Sequence, residues 1–249
     1  MKRLLDVGRV LFAIALLGFG CEYALYAMGQ SGPIPGPPWH PASPMLAGVW
    51  AAALVIAGIC LLLRFHLQTV AALLSACLFL DVLIIYLPWL MKEIRNPAPW
   101  TSGGEMLALA GGALALSGWA RGGARGKPMI EIGKVMFALL LIVVGVQHIM
   151  YGRFVATLVP AWIPAHYFLV IFIGVAFLAA AAAFVSGILA QTAAYLLGVM
   201  FAIFVLTVHA PRIVGKLHDG NEWTSGLVAV AMCGCSFIFA EVLEKRKRT

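Results

Sequence analysis

The strongest constraint on the fold is a series of continuous apolar runs, each close to the length of a membrane crossing, with very little polar sequence between them. Eight such runs are legible, over about 9–28, 46–63, 67–90, 104–120, 133–152, 167–187, 191–210 and 223–242. A helix needs roughly 20 apolar residues to cross a hydrocarbon core. In that medium every backbone N–H and C=O must be satisfied by protein, which restricts spanning structures to helices and closed barrels. Barrel strands would show as alternating segments of roughly ten residues, and these runs do not alternate. Composition agrees, with 63% hydrophobic and 11% charged residues and a mean hydropathy of +0.98. Soluble domains carry about half apolar and a quarter charged residues. The expected fold is all-α and transmembrane.

The chain also repeats itself. Trp100-Thr101-Ser102-Gly103 returns as Trp223-Thr224-Ser225-Gly226, and Pro88 returns as Pro211, both at a shift of 123 (223 − 100 and 211 − 88). Further upstream, Gly8-Arg9-Val10-Leu11-Phe12-Ala13 answers Gly133-Lys134-Val135-Met136-Phe137-Ala138 at a shift of 125 (133 − 8), and Tyr26 answers Tyr151. Such self-similarity points to tandem duplication. We therefore expect eight helices as two parallel-repeat four-helix bundles, related by an axis along the membrane normal because each half makes an even number of crossings. Residues 1–120 form the first repeat, 121–130 a basic, glycine-rich cytoplasmic linker, and 131–249 the second repeat with its basic tail.

The net charge of +7 follows from topology and calls for no nucleic acid. With the N-terminus cytoplasmic, that side holds Lys2, Arg3, Arg9, Arg64, Arg121, Arg125, Lys127, Lys134 and the run Lys245 to Arg248, twelve cations in all. The other side holds five, Lys92, Arg95, Arg153, Arg212 and Lys216. The positive-inside rule then puts both termini in the cytoplasm, and the expected location is a bacterial cytoplasmic membrane. The partner this charge implies is the lipid bilayer itself, with the tail read as a headgroup and orientation signal. The start, Met1 to Met28, imitates a secretory signal, but its counterpart at 133–152 lies mid-chain, so both read as first helices of a repeat.

Cys21, Cys60, Cys77, Cys233 and Cys235 form no Cys-x-x-Cys or zinc spacing. Cys233 and Cys235 are separated by one residue, which on a helix points them about 200° apart, and buried apolar filling is the expectation. The proline-rich stretch Gln30 to Pro44 and its counterpart Arg153 to His166 read as folded-back caps at the outer surface, because so many prolines exclude helix. Thr101 or Ser102 reads as an N-cap, with Ser102 and Glu105 forming a capping box that the second half lacks, since Val228 stands there.

Ionisable and polar groups inside apolar runs are costly and mark candidate sites. In the second half these are Gln147 and His148, His166, His209 and Glu222, with Trp223 beside it; the topology puts them at one outer depth. Imidazole and carboxylate suit a transition metal, two histidines suit a haem, and the same groups could hydrogen-bond a quinone carbonyl. A polar network closed by water is the plain alternative. The first half does not repeat these residues. Glu22-Tyr23 stands for Gln147-His148, Ser43 for His166, Tyr86 for His209 and Pro99 for Glu222. Its own polar candidates are Glu22, Tyr23, Asp81, whose counterpart is Phe204, and Trp100. His40, His66 and His218 read as solvated loop residues.

The segments Gly145-Val146-Gln147-His148-Ile149-Met150-Tyr151, Leu158 to His166, and His209-Ala210-Pro211-Arg212 followed by Asn221 to Ser225 resemble DoxX-like membrane proteins. The resemblance implies a four-helix unit, here doubled, and a redox setting such as quinone-linked chemistry with a respiratory or redox partner protein. No catalytic residue carries over. The leading expectation is a redox-associated membrane component in which His148, His166 and His209 act as ligands or hydrogen-bond partners and Glu222 as proton acceptor. A small-solute carrier using Glu22, Asp81 and the cleft between repeats is the alternative. A non-catalytic subunit or assembly factor is the third reading.

Overall fold

The computed structural model describes residues 2–28 and 43–243, with side chains from residue 4. The proline-rich cap before Ser43, with Trp39 and His40, and the basic tail lie outside the described residues. Those residues form helices and no strand. In chain order the helices are α1 (Lys2–Ala27), α2 (Pro44–Leu63), α3 (Leu67–Asp81), α4 (Leu87–Lys92), α5 (Pro97–Arg121), α6 (Gly123–Met150), α7 (Gly152–Ala156), α8 (His166–Ser186), α9 (Ala190–Phe204), α10 (Ala210–Gly215) and α11 (Gly220–Val242). A π-helical turn, Val82–Tyr86, joins α3 to α4, and another, Val205–His209, joins α9 to α10.

Seven stretches are long and apolar enough to cross a membrane: Leu4–Ala27, Pro44–Leu63, Leu67–Lys92, Gly123–Met150, His166–Ser186, Ala190–Gly215 and Gly220–Val242. Their outer faces carry large apolar side chains such as Ile56 (61% exposed), Leu73 (62%), Phe172 (61%) and Leu206 (71%). A soluble protein would bury such residues, whereas hydrocarbon solvates them. The run expected at 104–120 lies within α5, which is 25 residues long but is not among the seven. Glu105 and its glycines lower its apolar character. Its alanine- and glycine-rich face is buried against protein instead, because α5 packs on α3, α6 and α11.

The helices do not sort into two separate four-helix bundles. The broadest interfaces join α5 to α6 and α1 to α11, each uniting an early and a late part of the chain, and α5 also touches α11. Glycine permits both crossings. A Cβ on Gly8 would lie 2.6 Å from the Gly234 carbonyl oxygen, and one on Gly111 would lie 2.5 Å from that of Gly133. Such small-residue contacts let helix backbones approach where lipid supplies no hydrophobic drive. The positions correspond, since 8 + 125 = 133 and 111 + 123 = 234.

The 121–130 segment is also not a loop. The break between α5 and α6 is confined to Gly122 and Gly123, both at positive φ (+68° and +59°), where an L side chain would be strained. Helix α6 then runs through Pro128. At the same end of the bundle, where Ser117 near the end of α5 donates to the Gln68 carbonyl at the start of α3 at 2.8 Å, Arg64 takes a left-handed conformation after α2 and pairs with Asp6, while buried Arg9 donates to the Leu61 and Leu62 carbonyls. Arg9 thereby caps α2 from α1. Cys233 and Cys235 are buried, as expected.

Both π turns have a proline at their exit. The Leu87 N–H bonds the Val82 carbonyl, five residues back, and the Ala210 N–H bonds Val205 in the same way. The next residues, Pro88 and Pro211, offer no N–H, so the α-helical ladder cannot resume in its former register there. A π turn inside a longer helix frequently marks a functional position, and these two carry Tyr86 and His209.

If the glycine crossings hold the bundle together, Gly234→Val will lower the thermal unfolding midpoint of the detergent-solubilised protein. The expected loss is about 1–3 kcal/mol, as for overpacking elsewhere. Gly48→Ala, whose added carbon would meet only the Ala27 Cβ at 4.0 Å, should leave the midpoint unchanged.

Candidate functional site

The repeated Trp-Thr-Ser-Gly does not cap its helices. Helix α5 starts earlier, where the Asn96 side chain accepts from the Ala98 N–H at 3.0 Å, and α11 starts where Asp219 accepts from the Asn221 N–H at 3.0 Å. The tetrapeptide therefore lies one turn inside each helix, and each letter has a tertiary task. Trp100 Nε1 donates to the Ile94 carbonyl at 2.9 Å and Trp223 Nε1 to the Leu217 carbonyl at 2.9 Å, tying down the preceding loops. The glycines admit the π turns: a Cβ on Gly103 would stand 3.1 Å from the Tyr86 Cβ, and one on Gly226 3.6 Å from the His209 Cβ.

The threonines reach across the chain. Thr101 Oγ1 lies 2.6 Å from Gln147 Oε1, and Gln147 Nε2 donates to the Pro97 carbonyl at 3.0 Å. Thr224 Oγ1 donates to Glu22 Oε1 at 2.8 Å, over a separation of 202 residues. Gln147 and Glu22 are counterparts at the shift of 125 (147 − 22). Each threonine thus clasps the long helix of the other half.

Beside the Glu22 clasp lies a cavity of about 60 Å³, enough for a few waters or a compact head group. Its polar lining is Glu22, Tyr23, Tyr86, Ser102, Glu105 and Thr224. Its apolar walls include Phe19, Trp50, Leu54 and Leu78. Among the described residues no lysine, arginine or histidine lines it. Asp81, at the end of α3, is close enough to both tyrosines to act on them electrostatically. Glu105 makes no hydrogen bond or ion pair among the described residues, and its carboxyl borders the cavity near enough to Tyr86 to act on it electrostatically.

The corresponding positions in the second half carry aromatic and apolar side chains. At the positions of Leu54, Leu78 and Asp81 stand Phe177, Phe201 and Phe204 (54, 78 and 81 + 123). Phe177 and Phe201 pack with ring centroids 5.8 Å apart, and Phe201 and Phe204 at 6.1 Å. His148, in the place of Tyr23, lies edge-on to Phe177 at 5.4 Å and donates from Nδ1 to the Val144 carbonyl at 2.7 Å. Val228 replaces Glu105. Three rings thus stand where the first half has two leucines and an acid.

The histidine site expected in the second half is not assembled. Among the described residues no three His, Cys, Asp or Glu side chains come together as metal ligands. His166 is half-buried at the start of α8. His209 Nδ1 is buried without a hydrogen-bond partner among the described residues. Glu222, only 4% exposed, is held by Arg212 through two bonds of 2.7 and 2.9 Å and by Lys216 at 3.4 Å. A carboxylate so clamped is an anchor between α10 and α11, not a proton acceptor. Of the first-half candidates, Glu22 and Tyr23 line the cavity, Asp81 lies beside its tyrosines, and Trp100 holds its loop.

Sequence reasoning missed Glu105, Ser102, Trp50 and Thr224 as cavity residues. For Glu105 a signal existed: it is a lone acid in an apolar run whose repeat counterpart is valine. Ser102 and Glu105 matched a capping box so well that the start of α5 was displaced. Comparison with family models, curated proteins and solved structures found no match.

Replacing Thr224 by valine removes the partner of a half-buried carboxylate, and we expect a loss of about 0.6–1.7 kcal/mol, the range for hydrogen bonds between membrane helices. Thr101→Val should cost less, because Gln147 keeps its bond to Pro97. Equilibrium unfolding in mixed micelles measures both, and equal losses would mean that the Glu22 bond has no special weight.

Proposed function

We propose that the chain is an integral membrane carrier for a small solute, with Glu22 and Glu105 as the groups that bind it or exchange protons. The observation that carries this reading is the pair of carboxyls, from α1 and α5, on one cavity with no basic residue in its walls among the described residues. Ionisable groups in a membrane interior are costly and there mark substrate and proton paths. A carboxylate in that setting demands a proton or a cation, and among the described residues Glu105 has neither an arginine nor a lysine to pair with.

The reading includes a tandem repeat of four crossings per half, with both termini cytoplasmic. Paired glycine crossings, paired threonine clasps and paired π turns support the repeat. The divergence of the two halves supports a division of labour, in which the first keeps a polar cavity and the second carries phenylalanines at the equivalent positions. Sites at the junction of repeats are common in carriers, where one repeat rocks against the other. A metal centre serving the redox role that the DoxX-like resemblance implies would require His148, His166, His209 and Glu222 to converge; His209 lies near Glu222, but no group of three such ligands forms among the described residues, which disfavours a metal centre there.

A carrier must open its cavity alternately to the two sides of the membrane. In Ser102→Cys, a membrane-impermeant maleimide should label the new thiol from the outside of intact vesicles and, separately, from the inside of inverted ones. Peptide mass spectrometry distinguishes this thiol from the five native cysteines. Labelling from one side only, with a surface thiol labelled normally, would sink the carrier reading.

A further inference from the structure

The cavity has a second property besides its acids. Four aromatic residues line it: Phe19, Tyr23, Trp50 and Tyr86. They arrive from three separate elements, α1, α2 and the first π turn, so the arrangement is tertiary and not a stripe on one helix. Aromatic faces carry negative quadrupoles that attract cations, most strongly in a desolvated site, and cages of such rings are the usual means of holding alkylammonium groups. Here the rings accompany two carboxyls, Glu22 and Glu105, and Asp81 adds a third acid behind the tyrosines. Glu22 already has one oxygen engaged by Thr224 at 2.8 Å, whereas Glu105 is unengaged.

Neutral solutes would gain little from this set. An anion would face carboxyls with no compensating cation in the walls. A bare metal ion would want several oxygen ligands in close array, and no group of three suitable side chains is assembled among the described residues. An organic ammonium satisfies both halves of the lining at once, its charge meeting the carboxyls and its methyl or methylene groups meeting the rings. The size agrees, because about 60 Å³ accommodates a compact head group and not an extended ring system.

We propose that the cavity is a binding site for a small alkylammonium cation, caged by Phe19, Tyr23, Trp50 and Tyr86 and neutralised by Glu105 with Glu22. This assignment rests on the carrier reading for its biological purpose, but binding is measurable without transport. The second half does not repeat the lining: Val228 stands for Glu105, Gln147 for Glu22, and phenylalanines for Leu54, Leu78 and Asp81.

The test is equilibrium binding of tetramethylammonium chloride to the full-length protein in detergent, by calorimetry, at constant ionic strength set with sodium chloride. Its neutral counterpart of similar shape is tert-butanol. We expect saturable binding of tetramethylammonium and none of tert-butanol over the same range. This comparison uses the unaltered protein and does not depend on any variant folding. Glu105→Gln should weaken binding by roughly tenfold or more, as loss of a charge partner in a water-poor site predicts. Trp50→Leu should weaken it by roughly 2- to 30-fold, the span of cation–π energies. Leu73→Ala, on the outer surface at 62% exposure and outside the cavity lining, should leave affinity unchanged.

Absence of saturable tetramethylammonium binding overturns the proposal, as does equal binding of tert-butanol. Full affinity in both Glu105→Gln and Trp50→Leu overturns the location. Failure here combined with two-sided labelling of Ser102→Cys would leave a carrier of some other solute. Success combined with one-sided labelling would leave an ammonium-binding membrane protein that does not carry.

Discussion

Everything in this bundle depends on two close helix crossings, Gly8 with Gly234 and Gly111 with Gly133. Lipid tails solvate leucine as well as protein does, so burial of apolar surface drives helix association far less than it drives folding in water, and packing contacts must do the work. Removing side chains at the crossing brings backbone against backbone. It also fixes which helices are neighbours, joining α1 to α11 and α5 to α6. The threonine clasps then fall where they can reach, Thr224 to Glu22 and Thr101 to Gln147.

The crossings set the geometry in which the two halves have diverged. Both have a π turn ended by proline, and both use the glycine of Trp-Thr-Ser-Gly to admit the residue that the turn presents. From there the chemistry separates. Tyr86 in the first half borders an open, acidic space, while His209 in the second sits near an ion-paired Glu222. Equivalent positions thus carry acids and tyrosines in the first half and phenylalanines in the second. The phenylalanine rings stabilise the bundle by dispersion contacts and leave polar groups concentrated at one place, where a ligand or proton can offset their burial.

Much of the fold was legible in residue order. Apolar runs gave the helices because hydropathy over 20 residues is a local property. Trp100 and Trp223 announced the internal similarity because identity at a fixed shift needs no geometry. Boundaries were less legible. Ser102 and Glu105 matched a cap signal, yet Asn96 and Pro97 start α5 a turn earlier, since several residues compete to end a helix and only the traced backbone shows which wins. The glycine-rich stretch after Arg121 read as a linker, but two positive-φ glycines suffice for the turn and α6 absorbs the rest.

The candidate site divides the same way. Glu22, Tyr23 and Asp81 were visible as polar residues in apolar surroundings, and so were His148, His209 and Glu222; a one-dimensional reading had no means to weigh one group above the other. By itself the sequence determined that this is a helical membrane protein with an internal echo, and which residues are expensive to bury, because both follow from side-chain chemistry and spacing. Tertiary structure decided the rest. It closed Glu222 with Arg212, turned His148 toward its own helix, and left Glu105 facing a cavity among four aromatic rings. Those outcomes depend on which helices touch, and that choice is made by backbone approach at glycines more than 100 residues apart or, across α5 and α6, on either side of a two-glycine turn.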